Sequence, residues 1–156
     1  PAGCAVCRDI SRWYRPTMPT HLLAQLAVAA AAMAVGDGLW LGVVARRFYR
    51  DQLGDLMRPT TDVVAAALFY ALFYALFYAL YVAGVVVLVV RPGESLGWTA
   101  WECAGTGALL GAVAFGTYDL TNRATVRGFP WALAIVDLAW GTALTAAVAG
   151  VTAAVV

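Results

Sequence analysis

Residues 22–45 read LLAQLAVAAAAMAVGDGLWLGVVA, and a single charge, Asp37, interrupts them. These 24 residues, at about 1.5 Å rise each, reach roughly 36 Å, more than the ~30 Å hydrocarbon core of a bilayer. Backbone polar groups in lipid must be satisfied within the segment, so the run is a helix. Three further runs follow the same rule. Residues 63–90 carry no charge, residues 98–122 carry Glu102 near the start and Asp119 near the end, and residues 128–156 carry only Asp137. The expected fold is an all-α membrane protein with four transmembrane helices in an antiparallel up-down bundle. Its spans fall at about 20–45, 62–90, 98–122 and 130–155, and short connections make neighbours antiparallel.

Composition agrees and excludes other classes. The chain of 156 residues is 63% hydrophobic and 12% charged, against about 45–50% and about 25% in soluble domains. It has no lysine, which removes Schiff-base cofactors and the P-loop lysine, and its one histidine, His21, removes bis-His haem. A net charge of +1 gives no electrostatic footprint for nucleic acid.

Local signals mark the ends of the runs. Arg46, Arg47 and Arg50 close the first; Pro59-Thr60-Thr61-Asp62 offers caps for the second, and Arg91-Pro92-Gly93 is its expected stop. Trp98 and Trp101 sit where an aromatic belt forms, with Glu102 reaching water beside them. Phe129-Pro130-Trp131 opens the fourth. Arginine counting gives six on loops one and three (Arg46, Arg47, Arg50, Arg58, Arg123, Arg127) against four on the other face (Arg8, Arg12, Arg15, Arg91). Loops one and three are therefore expected in the cytoplasm. Residues 1–17 form a polar tail or extension, distinct from the membrane domain 18–156. Cys4 and Cys7 in that tail lack the second ligand pair a zinc site needs and read as incidental.

Ionisable residues within a bilayer are costly and by default mark a site or a buried pair. Asp37 lies eight residues before Ala45, and Asp137 seven after Pro130, so roughly 12 Å and 10 Å inside their helix ends. Asp119 lies in the last turn of the third span. Antiparallel threading brings all three to the half of the membrane beneath the arginine-rich loops. Asp37 precedes Trp40 by three residues, as Asp137 precedes Trp140, so each pair shares a helix face. Asp119 and Asn122 share another, within Thr117-Tyr118-Asp119-Leu120-Thr121-Asn122. The second span repeats Phe-Tyr-Ala-Leu from Phe69, Phe73 and Phe77, placing Tyr70, Tyr74 and Tyr78 on one slowly turning stripe. Tyr74 and Tyr78 read as packing; Tyr70 lies near the depth of the aspartates. Gly107 and Gly111 form a GxxxG, which serves close helix contact within the bundle or with a second copy.

Asp37-Gly38-Leu39-Trp40-Leu41-Gly42, Phe48-Tyr49 with Leu53-Gly54, Tyr118-Asp119-Leu120-Thr121-Asn122 and Asp137-Leu138-Ala139-Trp140-Gly141 together resemble a family of small bacterial integral membrane proteins of unknown function, recognisable by its Tyr-Asp-Leu-Thr-Asn signature. The resemblance spans roughly residues 20–147. It implies a role in lipid modification by association, since members are often encoded beside cyclopropanation-type methyltransferases and membrane reductases. A membrane enzyme partner follows from the same association.

The leading expectation is a protein directed at membrane lipids or another amphipathic molecule, with the polar end in an acidic and aromatic pocket of the cytoplasmic leaflet. Asp37, Asp119 and Asp137 are the candidate general acids or bases. Trp40, Tyr49, Tyr70, Tyr118, Thr121, Asn122 and Trp140 are the candidate ligand contacts. Arg46, Arg47, Arg50 and Arg123 would hold an anionic headgroup. No dedicated metal ligands or cofactor motif is legible, although three carboxylates could hold Mg²⁺ or Mn²⁺ in principle. Two readings compete. One is a proton- or cation-coupled transporter, for which four helices are small unless it dimerises through the Gly107/Gly111 face. The other is an accessory subunit of a lipid-modifying complex, with the acids fixing helix register.

Overall fold

The computed structural model describes residues 19–54, 62–68, 71 and 75–156, and among these every regular element is helical. Helix α1 (Pro19–Leu39) runs into a wide π-type turn, Trp40–Val44, in which the Ala45 N–H reaches the Trp40 carbonyl at 2.7 Å. Such a turn holds an extra residue and re-aims the side chains after it. The chain then continues as the short helix α2 (Arg46–Leu53). Helix α3 (Val63–Leu68) starts at the expected cap, where the Ala65 N–H donates to Asp62 Oδ1 at 3.0 Å.

Helix α4 (Ala75–Val85), a second wide turn (Val86–Val90) and α5 (Arg91–Leu96) form one continuous rod. Here the expected stop at Arg91-Pro92-Gly93 is corrected. A proline ring collides with the carbonyl four residues back and lacks an N–H. The preceding turn has already widened, with the Arg91 N–H bonded to the Val86 carbonyl, so Pro92 enters without ending the helix. The stop is Gly97, whose φ of +72° is a left-handed conformation that glycine adopts without a Cβ penalty. Trp98 N–H then returns to the Gly93 carbonyl at 2.8 Å.

Helix α6 (Ala100–Thr125) opens with a capping box. Thr99 Oγ1 accepts from the Glu102 N–H at 3.3 Å, and Glu102 Oε2 accepts from the Thr99 N–H at 2.7 Å. Glu102, expected simply to reach water, thus closes the first turn. Helix α7 (Trp131–Val155) begins just after Pro130.

Among the described residues three helical rods are long and apolar enough to cross a membrane: Thr20–Val44, Ala75–Leu96 and Trp131–Val155. The most extensive packing joins α6 to α7. Gly107 and Gly111 make it possible. A Cβ on Gly107 would sit 2.8 Å from the Thr145 carbonyl, and one on Gly111 2.7 Å from Thr145 Oγ1. The glycine pair is therefore consumed inside the chain, which settles one of the two uses its spacing allowed. Between the helix ends lies a plug of Ala29, Met33, Val82, Val85, Val86, Val89, Leu144 and Val148. Lipid tails are as apolar as these residues, so dispersion and fit, not escape from water, hold the plug together.

Candidate functional site

This topology gathers the C-terminal ends of α1 and α6 and the N-terminal end of α7. Asp37, Asp119 and Asp137 come from those three ends. Asp137 is the hub: its carboxylate is close enough to act electrostatically on both Asp37 and Asp119. The two Asp-x-x-Trp segments meet across α1 and α7. Trp40 stacks on Trp140 with ring centroids 4.4 Å apart and planes 6° from parallel. The Trp140 indole N–H donates to Asp37 Oδ1 at 3.4 Å, so the second segment's tryptophan faces the first segment's aspartate.

Helix α2 supplies the next contact. Its Tyr49 hydroxyl donates to Asp137 Oδ1, and the Trp40 indole nitrogen lies beside that hydroxyl without completing a hydrogen bond. Burial, and then the adjoining Asp137 carboxylate, push the Tyr49 hydroxyl above its ordinary pKa. It stays a proton donor across the physiological range.

Asp119 differs from the other two acids. It is 0% exposed, and neither carboxylate oxygen has a hydrogen-bond partner. A buried carboxyl without partners costs several kcal/mol unless it holds a proton or meets a cation or donor. Among the described residues no group of three His, Cys, Asp or Glu side chains could hold a metal ion. The three acids are neighbours that do not converge as a set of three ligands.

The other expected contacts are distributed differently. Tyr118 is 63% exposed and Thr121 is exposed, on the face of α6 turned away from Asp119. Asn122 is half-buried one turn below. Arg123, expected to hold an anionic headgroup, is used by its own loop. It donates to the Phe129 carbonyl at 2.8 Å and lies 5.0 Å over the Trp131 ring. Arg47 and Arg50 are exposed on α2. The Arg46 side chain, Tyr70, Tyr74, Arg58 and the tail with Cys4 and Cys7 lie outside the described residues. Tyr78 donates to the Ala30 carbonyl at 3.5 Å.

Two features are absent from the sequence reading. Beside Trp140, between α1 and α7, runs an open apolar groove of about 720 Å³, walled by Val35, Gly36, Leu144, Val148 and Val151 among others. The second is a polar cluster at the opposite end of the bundle. Gln25, 1% exposed, donates from Nε2 to Glu94 Oε2 at 3.0 Å. His21 Nδ1 lies 3.7 Å from Glu94 Oε1, and its Nε2 meets the Val156 carbonyl at 3.0 Å. Gln25 and Glu94 border a cavity of about 250 Å³ with Trp98 and Cys103. The available signal was His21 and Gln25 at i, i+4 on one helix face; weighing only acids within apolar runs passes over it.

No curated protein and no solved structure matches the chain. A family model does, from residue 22 to residue 154, and it takes in both ends of the bundle; the chain belongs to this family of predicted membrane proteins of unknown function (DUF2177).

Proposed function

We propose that this is a four-span membrane protein that binds a lipid or similar amphipathic molecule, with the polar end at the cluster of Asp37, Asp119, Asp137, Tyr49 and Trp140. The observation that carries the reading is Asp119, fully buried with both oxygens unpartnered beside a second carboxylate. An acid enclosed in that state, in a protein of the membrane, is a binding or proton-holding group waiting for its counterpart. The groove that shares Trp140 with the cluster offers an apolar seat next to it.

Helix α6 is the fourth span in this reading. Its 26 residues cover roughly 39 Å at about 1.5 Å each. Its apolarity is lowered by Glu102, Asp119, Asn122 and Arg123 and by glycines, of which Gly107 and Gly111 are turned to α7. The arginine-rich loops put the acidic end in the cytoplasmic leaflet of a bacterial inner membrane. The cluster's own chemistry is hydrogen-bond acceptance and proton holding.

Mass spectrometry of lipids retained after gentle purification tests the reading. One species should be enriched over the bulk membrane, and Asp119→Leu should remove the enrichment. Retained lipid with the bulk composition would end it. A second reading, proton or cation transfer across the bilayer, is favoured by the His21–Gln25–Glu94 cluster at the far end. Under that reading Asp37→Asn or Asp137→Asn abolishes flux in proteoliposomes.

A further inference from the structure

The lipid reading leaves the headgroup open, and the balance of donors and acceptors at the cluster narrows it. Three carboxylates present six acceptor oxygens. The described donors are the Trp140 indole, on Asp37, the Tyr49 hydroxyl, on Asp137, and the Trp40 indole, which completes no hydrogen bond. Asp119 receives none. Among the described side chains no arginine balances the charge, since Arg123 is bound to the Phe129 carbonyl and lies over Trp131, while Arg47 and Arg50 are exposed. A bare phosphate would add acceptors and negative charge where both are already in surplus. What the site lacks is positive charge with several N–H donors.

The groove fixes where the rest of such a molecule lies. Trp140 belongs to both places: it donates to Asp37 and walls the groove. From Trp140 to Val151 the groove follows α7 for eleven residues, or about 16 Å, enough for much of one acyl chain. Gly36 forms part of its floor because a Cβ there would run into Leu144.

We infer that the bound lipid carries an ammonium headgroup, seated among Asp119, Asp137 and Asp37, with one acyl chain in the α1–α7 groove. This rests on the lipid-binding reading and specifies its ligand class.

The test uses the full chain, reconstituted into vesicles of equal parts phosphatidylethanolamine and phosphatidylglycerol, then extracted gently. Lipid that co-purifies is quantified by mass spectrometry. The expected result is severalfold enrichment of phosphatidylethanolamine over phosphatidylglycerol. Asp119→Asn should return the ratio to that of the vesicle. Asp37→Asn, at a half-buried position, provides the same readout should the first variant fail to fold. Ala147→Trp, which fills the groove away from the acids, should lower the total lipid retained without reversing the preference. Preferential retention of phosphatidylglycerol, or an ethanolamine preference untouched by both aspartate variants, overturns the ammonium assignment and leaves lipid binding standing. Retention of neither lipid above the vesicle ratio, with no effect of Ala147→Trp on the total, removes the lipid reading itself.

Discussion

The two ends of the bundle both bury polar groups, and they do so in opposite ways. At the His21 end donors and acceptors come in pairs. Gln25 donates to Glu94, His21 meets the Val156 carbonyl, and Thr99 and Glu102 cap each other. Two atoms complete no hydrogen bond: His21 Nδ1, 3.7 Å from Glu94, and Gln25 Oε1, whose side chain borders a 250 Å³ cavity with the partly exposed Glu94. Water can serve the amide oxygen there. At the Asp137 end the carboxylate oxygens outnumber the donors, the Trp40 indole completes no hydrogen bond, and both oxygens of buried Asp119 are without a partner among the described residues. Matched pairs of this kind fasten helices together. An unmatched surplus is what the proposed ligand would meet.

That contrast can be broken or sharpened by mutation. The largest effect is expected from Gly111→Leu, because both ends hang on the α6–α7 seam and even a Cβ there would press on Thr145. The cost should reach or exceed the ~3 kcal/mol upper range of overpacking. Loss of a single sharp peak in size-exclusion chromatography, with both ends losing protection from hydrogen exchange, is the expected readout. Next come Gln25→Leu and Asp119→Leu, compared by thermal unfolding of delipidated protein. Gln25→Leu removes a hydrogen bond to a carboxylate and should cost about 1.5–3 kcal/mol. Asp119→Leu removes a buried group with no partner and should be neutral or stabilising by up to about 2 kcal/mol. Equal destabilisation by the two would erase the distinction between a fastening and a site.

A smaller effect belongs to Tyr49→Phe, which deletes the donor to Asp137 and should loosen α2 by about 1 kcal/mol. Its pH dependence has a definite sign. The Tyr49 hydroxyl is held above its ordinary value in the folded chain. The docking it provides is therefore complete below about pH 10, where a free tyrosine titrates, and fades as pH climbs toward the raised folded value. Hydrogen exchange in α2 should rise in that alkaline window for the native chain and lose that dependence in Tyr49→Phe. Smallest and most local is Thr99→Ala, worth about 1 kcal/mol at the start of α6. It should speed exchange in the first turn of α6 and leave lipid retention unchanged. Altered retention would show that the two ends are coupled.

Much of the site was legible because membrane burial makes charge conspicuous. Asp37, Asp119 and Asp137 stood out against apolar runs, and helical rise put them at one depth. The matching Asp-x-x-Trp spacing placed Trp40 and Trp140 beside them. Tyr49 was harder, since nothing in its own neighbourhood says that the helix after a turn folds back onto α7. Arg123 showed its charge but not its partner, because a carbonyl and an aromatic ring six and eight residues away compete with any headgroup. Gln25 was passed over because an uncharged amide among alanines looks inert until Glu94, 69 residues away, is beside it.

By itself the sequence determined the helices, their membrane character and the end at which acids would gather, since each depends only on local periodicity and on the cost of polar groups in lipid. Tertiary structure alone decided which acid has no partner, that two tryptophans stack across helices, that a groove adjoins them, and that Gly107 and Gly111 serve the chain's own packing. Those features depend on the distance and rotation between helices. Side-chain fit along the seam fixes both, and no single segment carries that information.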